Sequence, residues 1–230
     1  MLTRASGQES FGSPAWWFDA SGLLFERDDL TELLCGYAGK STSRYQSRIE
    51  TISADGSNRA VLIASGRMPA PSPDGGSVPV VQTTDQGTGL MLWSRATGTM
   101  HTLIPADEFA DIAYPRFSPA GDQVAFMVPE PIFDGSQPAL DAGCGLCQLG
   151  PCVASAHGLP WNLWLVARDG SNAHGLAQVE GDDASVAWSP DGSDLLVYGG
   201  VGSYLVDAGT GTFQVLSYLV GYGSIAWLAP

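Results

Sequence analysis

The chain has a single lysine, Lys40, and only 10 basic residues in all, against 24 carboxylates. A net charge of −14 excludes nucleic acid as a partner, because affinity for a phosphate backbone comes from clustered Lys and Arg. An acidic surface of this size also keeps a chain dispersed. No apolar run approaches the roughly 18 residues that cross a bilayer, so the chain is read as not transmembrane. Residues 1–10 lack the basic-then-apolar order of a secretory leader. Either the protein is cytosolic or an export signal lies outside this sequence. Histidine is scarce, at three residues, and charged residues make up only 15% against 44% hydrophobic. A chain this apolar can offset its ordering entropy by burial, which excludes disorder.

What the chain has in quantity is turn chemistry, with 29 glycines and 15 prolines. That punctuation suits many short strands and suits long helices badly. It also recurs. One turn follows an aromatic or apolar strand four times, in Trp16-Trp17-Phe18-Asp19-Ala20-Ser21-Gly22, Pro71-Ser72-Pro73-Asp74-Gly75, Arg116-Phe117-Ser118-Pro119-Ala120-Gly121 and Ala187-Trp188-Ser189-Pro190-Asp191-Gly192. A second recurs after each, in Ala54-Asp55-Gly56-Ser57-Asn58, Ala96-Thr97-Gly98-Thr99, Arg168-Asp169-Gly170-Ser171-Asn172 and Ala208-Gly209-Thr210-Gly211-Thr212. Glycine beside Asp, Asn or Thr supplies the positive φ that tight hairpins need. Repetition in fixed order is the signature of a repeat architecture.

With strands a, b, c and d in each unit, the first turn joins a to b and the second joins c to d. The spacings Gly56 to Gly75, Gly98 to Gly121 and Gly170 to Gly192 are nearly constant, whereas Gly22 to Gly56, Gly75 to Gly98, Gly121 to Gly170 and Gly192 to Gly211 differ widely. All the length variation therefore falls in the b–c connection. In an antiparallel meander the b–c loops share one edge, so the insertions at 26–48 and 129–160 decorate a single face, as binding surfaces on constant frames do.

The Ser-Pro-Asp-Gly turn, the aromatic before it and the Asp-Gly-Ser-Asn turn after strand c resemble the TolB-like β-propeller family, whose WD40-like repeat carries a Pro-Asp signature. The match runs over nearly the whole chain. The resemblance implies an all-β propeller of four-stranded antiparallel blades, here approximately 13–66, 67–111, 112–182 and 183–220, with a partial blade made from 221–230 and 1–12. Ser224-Ile225-Ala226-Trp227 repeats the blade opening Ser185-Val186-Ala187-Trp188. Either the ends pair to close a small ring, or the chain is part of a larger one; exposed strand edges favour the larger ring. Pro79 lies inside a strand pattern, which points to an edge position or a bulge.

The four cysteines all fall in b–c insertions, Cys35 in the first blade and Cys144, Cys147 and Cys152 in the third. With His157 the last three could offer zinc four ligands. An even count in long loops with little core suits disulfides better, and free thiols are the remaining option. No cofactor is otherwise indicated, and Gln148 after the Cys-x-x-Cys pair excludes haem attachment.

A catalytic constellation is not visible. His101 and His174 fall after the c–d turns and read as outer-strand residues, and no Gly-x-Ser-x-Gly elbow occurs. Asp28, Asp29, Glu32, Asp107, Glu108 and Asp111 read as solvated loop charge. The recurring aromatics Trp16, Trp17, Phe117, Trp188 and Trp227 read as packing between blades. The expectation is a non-enzymatic scaffold that binds a protein partner through its b–c face. A hydrolase or lyase with a central-channel site is one alternative, and an accessory subunit of an envelope or extracellular assembly is another. The family resemblance and the clustered cysteines place it in the periplasm or outside the cell.

Overall fold

The computed structural model describes residues 9–29, 46–129, 161–179, 184–218, 221, 223 and 225–227. Every regular element among them is a strand. They are β1 (Glu9–Trp16), β2 (Gly22–Asp29), β3 (Gln46–Ser53), β4 (Ala60–Ile63), β5 (Ser77–Thr84), β6 (Gly87–Ser94), β7 (Met100–Ile104), β8 (Ala113–Phe117), β9 (Gln123–Pro129), β10 (Trp161–Ala167), β11 (His174–Val179), β12 (Ser185–Trp188), β13 (Asp194–Tyr198), β14 (Ser203–Asp207) and β15 (Phe213–Ser217). They form four antiparallel meanders in chain order: β1–β4, β5–β7, β8–β11 and β12–β15. The sheets stack face to face through three cores, one between each consecutive pair.

Strand β9 shows why the sequence packs this way. Val124, Phe126 and Val128 belong to the core shared with the second sheet, while Ala125 and Met127 belong to the core shared with the fourth. A strand buried on both faces needs a continuous apolar run, because successive side chains alternate between the faces. The first strands of neighbouring sheets approach one another at the inner edge, where β8 lies against both β12 and β5.

The second sheet departs from the expected four strands. Its inner strand is reduced to one bridge, between Arg67 and Val81. Pro69 and Pro71 lack the N–H that a ladder requires, and Met68 between Arg67 and Pro69 has a left-handed φ of 54°. Strand β5 is consequently an edge strand, which is the position that tolerates Pro79.

The a–b turns are superimposable hydrogen-bond patterns. The N–H groups of Ser72, Ser118 and Ser189 donate to the carbonyls of Ser77, Gln123 and Asp194, and those of Gly75, Gly121 and Gly192 donate back to the three serines. In the first blade the same two bonds run from Trp17 to Gly22 and from Ala20 to Trp17. Trp17 thus stands where serine stands elsewhere, and Ala20, with φ 55°, occupies the glycine position. The sequence alignment on Gly22 is two residues out of register. Trp17 is the aromatic in the core there, 6% exposed, while Trp16 is 54% exposed.

The c–d turns carry a latch to the preceding blade. Arg95 stacks over Trp17 at 4.5 Å, and the equivalent Arg168 donates to Asp74 Oδ2 at 2.8 Å and Ser77 Oγ at 2.9 Å. At the next junction Ala208 stands at the arginine position and Ala120 at the aspartate position, so both charges are absent together.

The variable connections leave from the expected edge but are shorter than 26–48 and 129–160, because residues 26–29 and 46–48 extend the paired ladder of β2 and β3 and Pro129 belongs to β9. Asp29 pairs with Gln46 and Pro129 with Trp161, so 30–45 and 130–160 each leave and return at adjacent points of the b–c edge. Asp28 and Asp29 end β2 and are not loop residues. Glu9–Gly12, grouped with the C-terminal residues in the sequence reading, pair with Glu26–Asp29 in the first sheet.

Candidate functional site

Three inner segments share a motif: Ser13-Pro14-Ala15, Met68-Pro69-Ala70 and Tyr114-Pro115-Arg116. In each, the residue before proline has a left-handed backbone, with φ of 47°, 54° and 53°. Non-glycine residues seldom adopt this region, and such strain persists only where the surroundings impose it. The ladder slips at these points in β1 and β8, between Gly12 and Ala15 and between Ala113 and Arg116. The fourth blade has Val186 in place of the proline and pairs regularly there.

The three left-handed segments are joined across consecutive blades. Ser13 Oγ donates to Glu26 Oε2 at 3.0 Å, and the Met68 N–H donates to the same oxygen at 3.2 Å. The Tyr114 N–H then donates to Met68 Sδ at 3.3 Å. Glu26 is 9% exposed. Burial pushes its carboxyl up, the charge of Asp28 adds to this, and the bonds from Met68 and Ser13 oppose it. Asp28 is held by Ser10 Oγ at 2.8 Å and Ser47 Oγ at 2.5 Å.

Two arginines complete the cluster. Arg67 pairs with Asp111 and reaches the Ile112 carbonyl at 3.4 Å. Arg116 donates to the Pro115 carbonyl at 2.9 Å, and its burial lowers its pKa. Among the described residues it forms no ion pair with a carboxylate. Ser10, Asp28 and Ser47 lie at the b–c edge, whereas Ser13 and Glu26 are mid-strand and Arg116 stands near the a–b turn. The arrangement can hold a proton on Glu26 to a higher pH than a free glutamate does, and Arg116 can receive an anion. No group of three or more metal-ligating side chains occurs among the described residues.

No family model matches the chain, and no curated protein matches it in sequence. Solved structures do match. TolB from Acinetobacter baumannii superimposes with a TM-score of 0.60 at 16% identity, over 93% of this chain and 45% of that one. The chain has a TolB-like β-propeller fold. A chain of the nidogen–laminin complex matches this propeller with a TM-score of 0.66 at 10% identity, over 96% and 70% of the two chains. Oligogalacturonate lyase from Vibrio parahaemolyticus matches with 0.57 at 9% identity, over 94% and 56%. The propeller thus spans about half the length of the TolB and lyase chains that it resembles.

The residues singled out in the sequence are distributed unevenly over this fold. Cys35, Cys144, Cys147, Cys152, His157 and Glu32 lie outside the described residues. His101 opens out on β7, with Nε2 3.4 Å from the Arg168 carbonyl, and His174 on β11 has Nδ1 2.8 Å from the Asn172 carbonyl. Both are exposed outer-strand residues. Asp107 and Glu108 lie in the connection after β7, whereas Asp28 and Asp111 belong to the inner-edge cluster. Trp188 links the fourth blade to the third, its indole N–H donating to the Arg116 carbonyl at 3.1 Å, and Trp227, beyond the last strand, donates to the Ala187 carbonyl at 3.1 Å.

Sequence reasoning missed Glu26, Met68, Tyr114 and Arg116. The signal for Met68 and Tyr114 was present, as an X-Pro pair whose proline stands three residues before the position that opens each turn. For Glu26 the signal was a carboxylate two residues from Leu24, on the face of β2 that packs into the core shared with the second sheet.

Proposed function

We propose that this propeller is a binding scaffold that presents its b–c edge to a protein partner, outside the cytoplasm. The observation that carries the reading is the asymmetry of its two edges. One edge consists of short, repeated, hydrogen-bonded turns, and the other collects both long connections, with Asp28 and its serine partners beside the first of them. Strain and buried polar groups cost stability, and they are retained where they position side chains for a ligand. Matches to TolB and to a chain of the nidogen–laminin complex are in keeping with a role in assembly.

Because Pro129 and Trp161 are directly paired, residues 130–160 can be replaced by the two-residue Asp-Gln turn that joins β5 to β6. The variant should keep its strand content and thermal midpoint. Cross-linking capture from source cells should recover proteins with the native chain that the shortened one loses. Equal recovery by both chains overturns the proposal.

A second reading has one observation in its favour, the raised carboxyl of Glu26 beside Asp28, an arrangement suited to acid–base work. In that reading the propeller is a lyase or hydrolase with its site at the inner edge. Turnover of an acidic oligosaccharide or a peptide that is abolished by Glu26→Gln, with the fold intact, would select it.

A further inference from the structure

The outer half of the third blade contains a cleft of about 190 Å³, lined by Asn162, Trp164, Gly175 and Gln178 together with Leu176 and Ala177. Alternation along β10 places Asn162, Trp164 and Val166 opposite Val128, Phe126 and Val124 of β9, on the side that faces the second blade. The register of β10 with β11 slips between Leu163 and Trp164, and this sets Gly175 opposite the indole.

Gly175 is not required by its backbone, since its φ lies outside the left-handed region. A glycine inside a strand weakens it, and it marks a place where a ligand or another backbone comes close. A Cβ at this position would lie 3.4 Å from Trp164 Cε2 and 3.6 Å from Cζ2, so the glycine leaves the indole uncovered there. The ring itself is fixed, with Phe109 edge-on at 4.9 Å and Phe126 at 6.5 Å between centroids.

Asn162 supplies the second, independent observation. It is 5% exposed, and its Oδ1 is buried without a hydrogen-bond partner. A buried acceptor left unsatisfied is costly, and a ligand that brings a donor removes the cost. Among the described residues, no charged side chain lines the cleft. Its occupant is therefore neutral, donates hydrogen bonds and has one apolar face to set against an indole. The volume holds about six waters at about 30 Å³ each, below the usual range of drug-sized pockets, which fits a single ring.

We propose that this cleft binds one neutral pyranose residue, with its C–H face on Trp164, a hydroxyl donated to Asn162 Oδ1 and the Gln178 amide at the rim. This site is separate from the inner-edge cluster and does not depend on the function proposed above.

Saturation-transfer NMR on the 230-residue chain tests it, with glucose, galactose and N-acetylglucosamine as probes and glucuronate as the charged comparison. At about 10 mM, enough to populate a millimolar site, at least one neutral sugar should receive saturation at its ring C–H protons. Gly175→Ala covers the indole edge at ordinary contact distance and should reduce that transfer at least fivefold without changing the fold. Asn162→Leu should abolish it and raise the thermal midpoint, a combination that loss of a structural asparagine would not give. Absence of transfer to all three sugars, equal transfer to glucuronate, or transfer unchanged in Gly175→Ala overturns the assignment.

Discussion

Gly98 and Gly211 permit a controlled measurement of how firmly one blade rests on the next. They hold the same place in their c–d turns. The N–H of Gly98 donates to the Ser94 carbonyl at 2.8 Å and that of Gly211 to the Asp207 carbonyl at 2.9 Å, with φ of 69° and 71°. Their surroundings differ. A Cβ on Gly98 would meet nothing within 4 Å, whereas one on Gly211 would lie 2.0 Å from the Leu176 carbonyl oxygen, in β11 of the preceding blade. Gly98→Ala therefore bears only the left-handed cost of a Cβ, about 1–2 kcal/mol. Gly211→Ala bears the same cost and must also move the turn off β11, an overpacking of about 1–3 kcal/mol. Urea denaturation of both variants isolates the inter-blade contribution as the difference between them, since the conformational part cancels. The expected difference is at least about 1 kcal/mol, or about 2–4 °C in thermal midpoint for a chain of this length. Equal destabilisation would refute the argument, because it would mean that the c–d turn can withdraw from β11 without loss.

Glu26→Gln should stabilise the protein, and increasingly so as pH rises. The folded carboxyl is pushed up, so the charged form is disfavoured in the fold. Its penalty is absent below the unfolded value of about 4.3 and grows as pH rises through the folded value. Denaturation midpoints of native and variant should converge near pH 4 and separate toward pH 8; a constant gap contradicts the assignment. Asp74 has the opposite sign. The Arg168 guanidinium, with the Ser72 hydroxyl and the Gly76 N–H, holds its carboxyl well below the usual range, so its contribution is present above about pH 4 and lost as pH falls further. Because the pair is exposed, its worth is about 0.5–1 kcal/mol, and Asp74→Asn should flatten the acid limb of the stability curve by that amount. Trp188→Phe removes the indole donor to Arg116 and should cost about 0.5–1.5 kcal/mol, read as a lowered urea midpoint with unchanged strand content.

The turns were legible because each is specified locally. Serine caps the b strand with its hydroxyl, as in Ser189 to the Asp194 N–H at 2.9 Å, and glycine supplies the positive φ. The first blade was misread because Trp17 and Ala20 replace both residues, while Gly22, two positions on, attracted the alignment. Alanine in the left-handed region carries no sequence mark; the surrounding hydrogen bonds impose it. The inner-edge cluster was illegible for a different reason. The contact between Glu26 and the Met68 N–H spans 42 residues and depends on how two sheets stack, which composition and periodicity do not encode. The unpartnered oxygen of Asn162 is likewise a property of packing, invisible until the strands are placed.

The two ends of the array are finished in different ways, and this bears on how the ring is completed. On the face of the first blade turned away from the second, Arg59 lies over Phe11 and Phe25, 5.1 and 5.5 Å from their rings, and donates to Glu50 at 2.6 Å. Arg48 bonds the same carboxylate at 2.6 Å, and Glu50 is only 3% exposed. Charged side chains thus cover this aromatic surface. The fourth blade instead receives Gly223 and Trp227 against β12. Ser185 Oγ donates to the Gly223 carbonyl at 2.8 Å, and Trp227 donates to Ala187 at the distance at which Trp188 donates to Arg116. Trp227 therefore stands to the fourth blade as Trp188 stands to the third. The residue that a direct closure would place there is Trp16, the first blade's equivalent of Trp188, and it is 54% exposed. With the Ala187 carbonyl already engaged by Trp227 and Arg59 stacked on the first blade's own aromatics, we propose that the fourth blade packs on a further blade of a larger ring and not on the first.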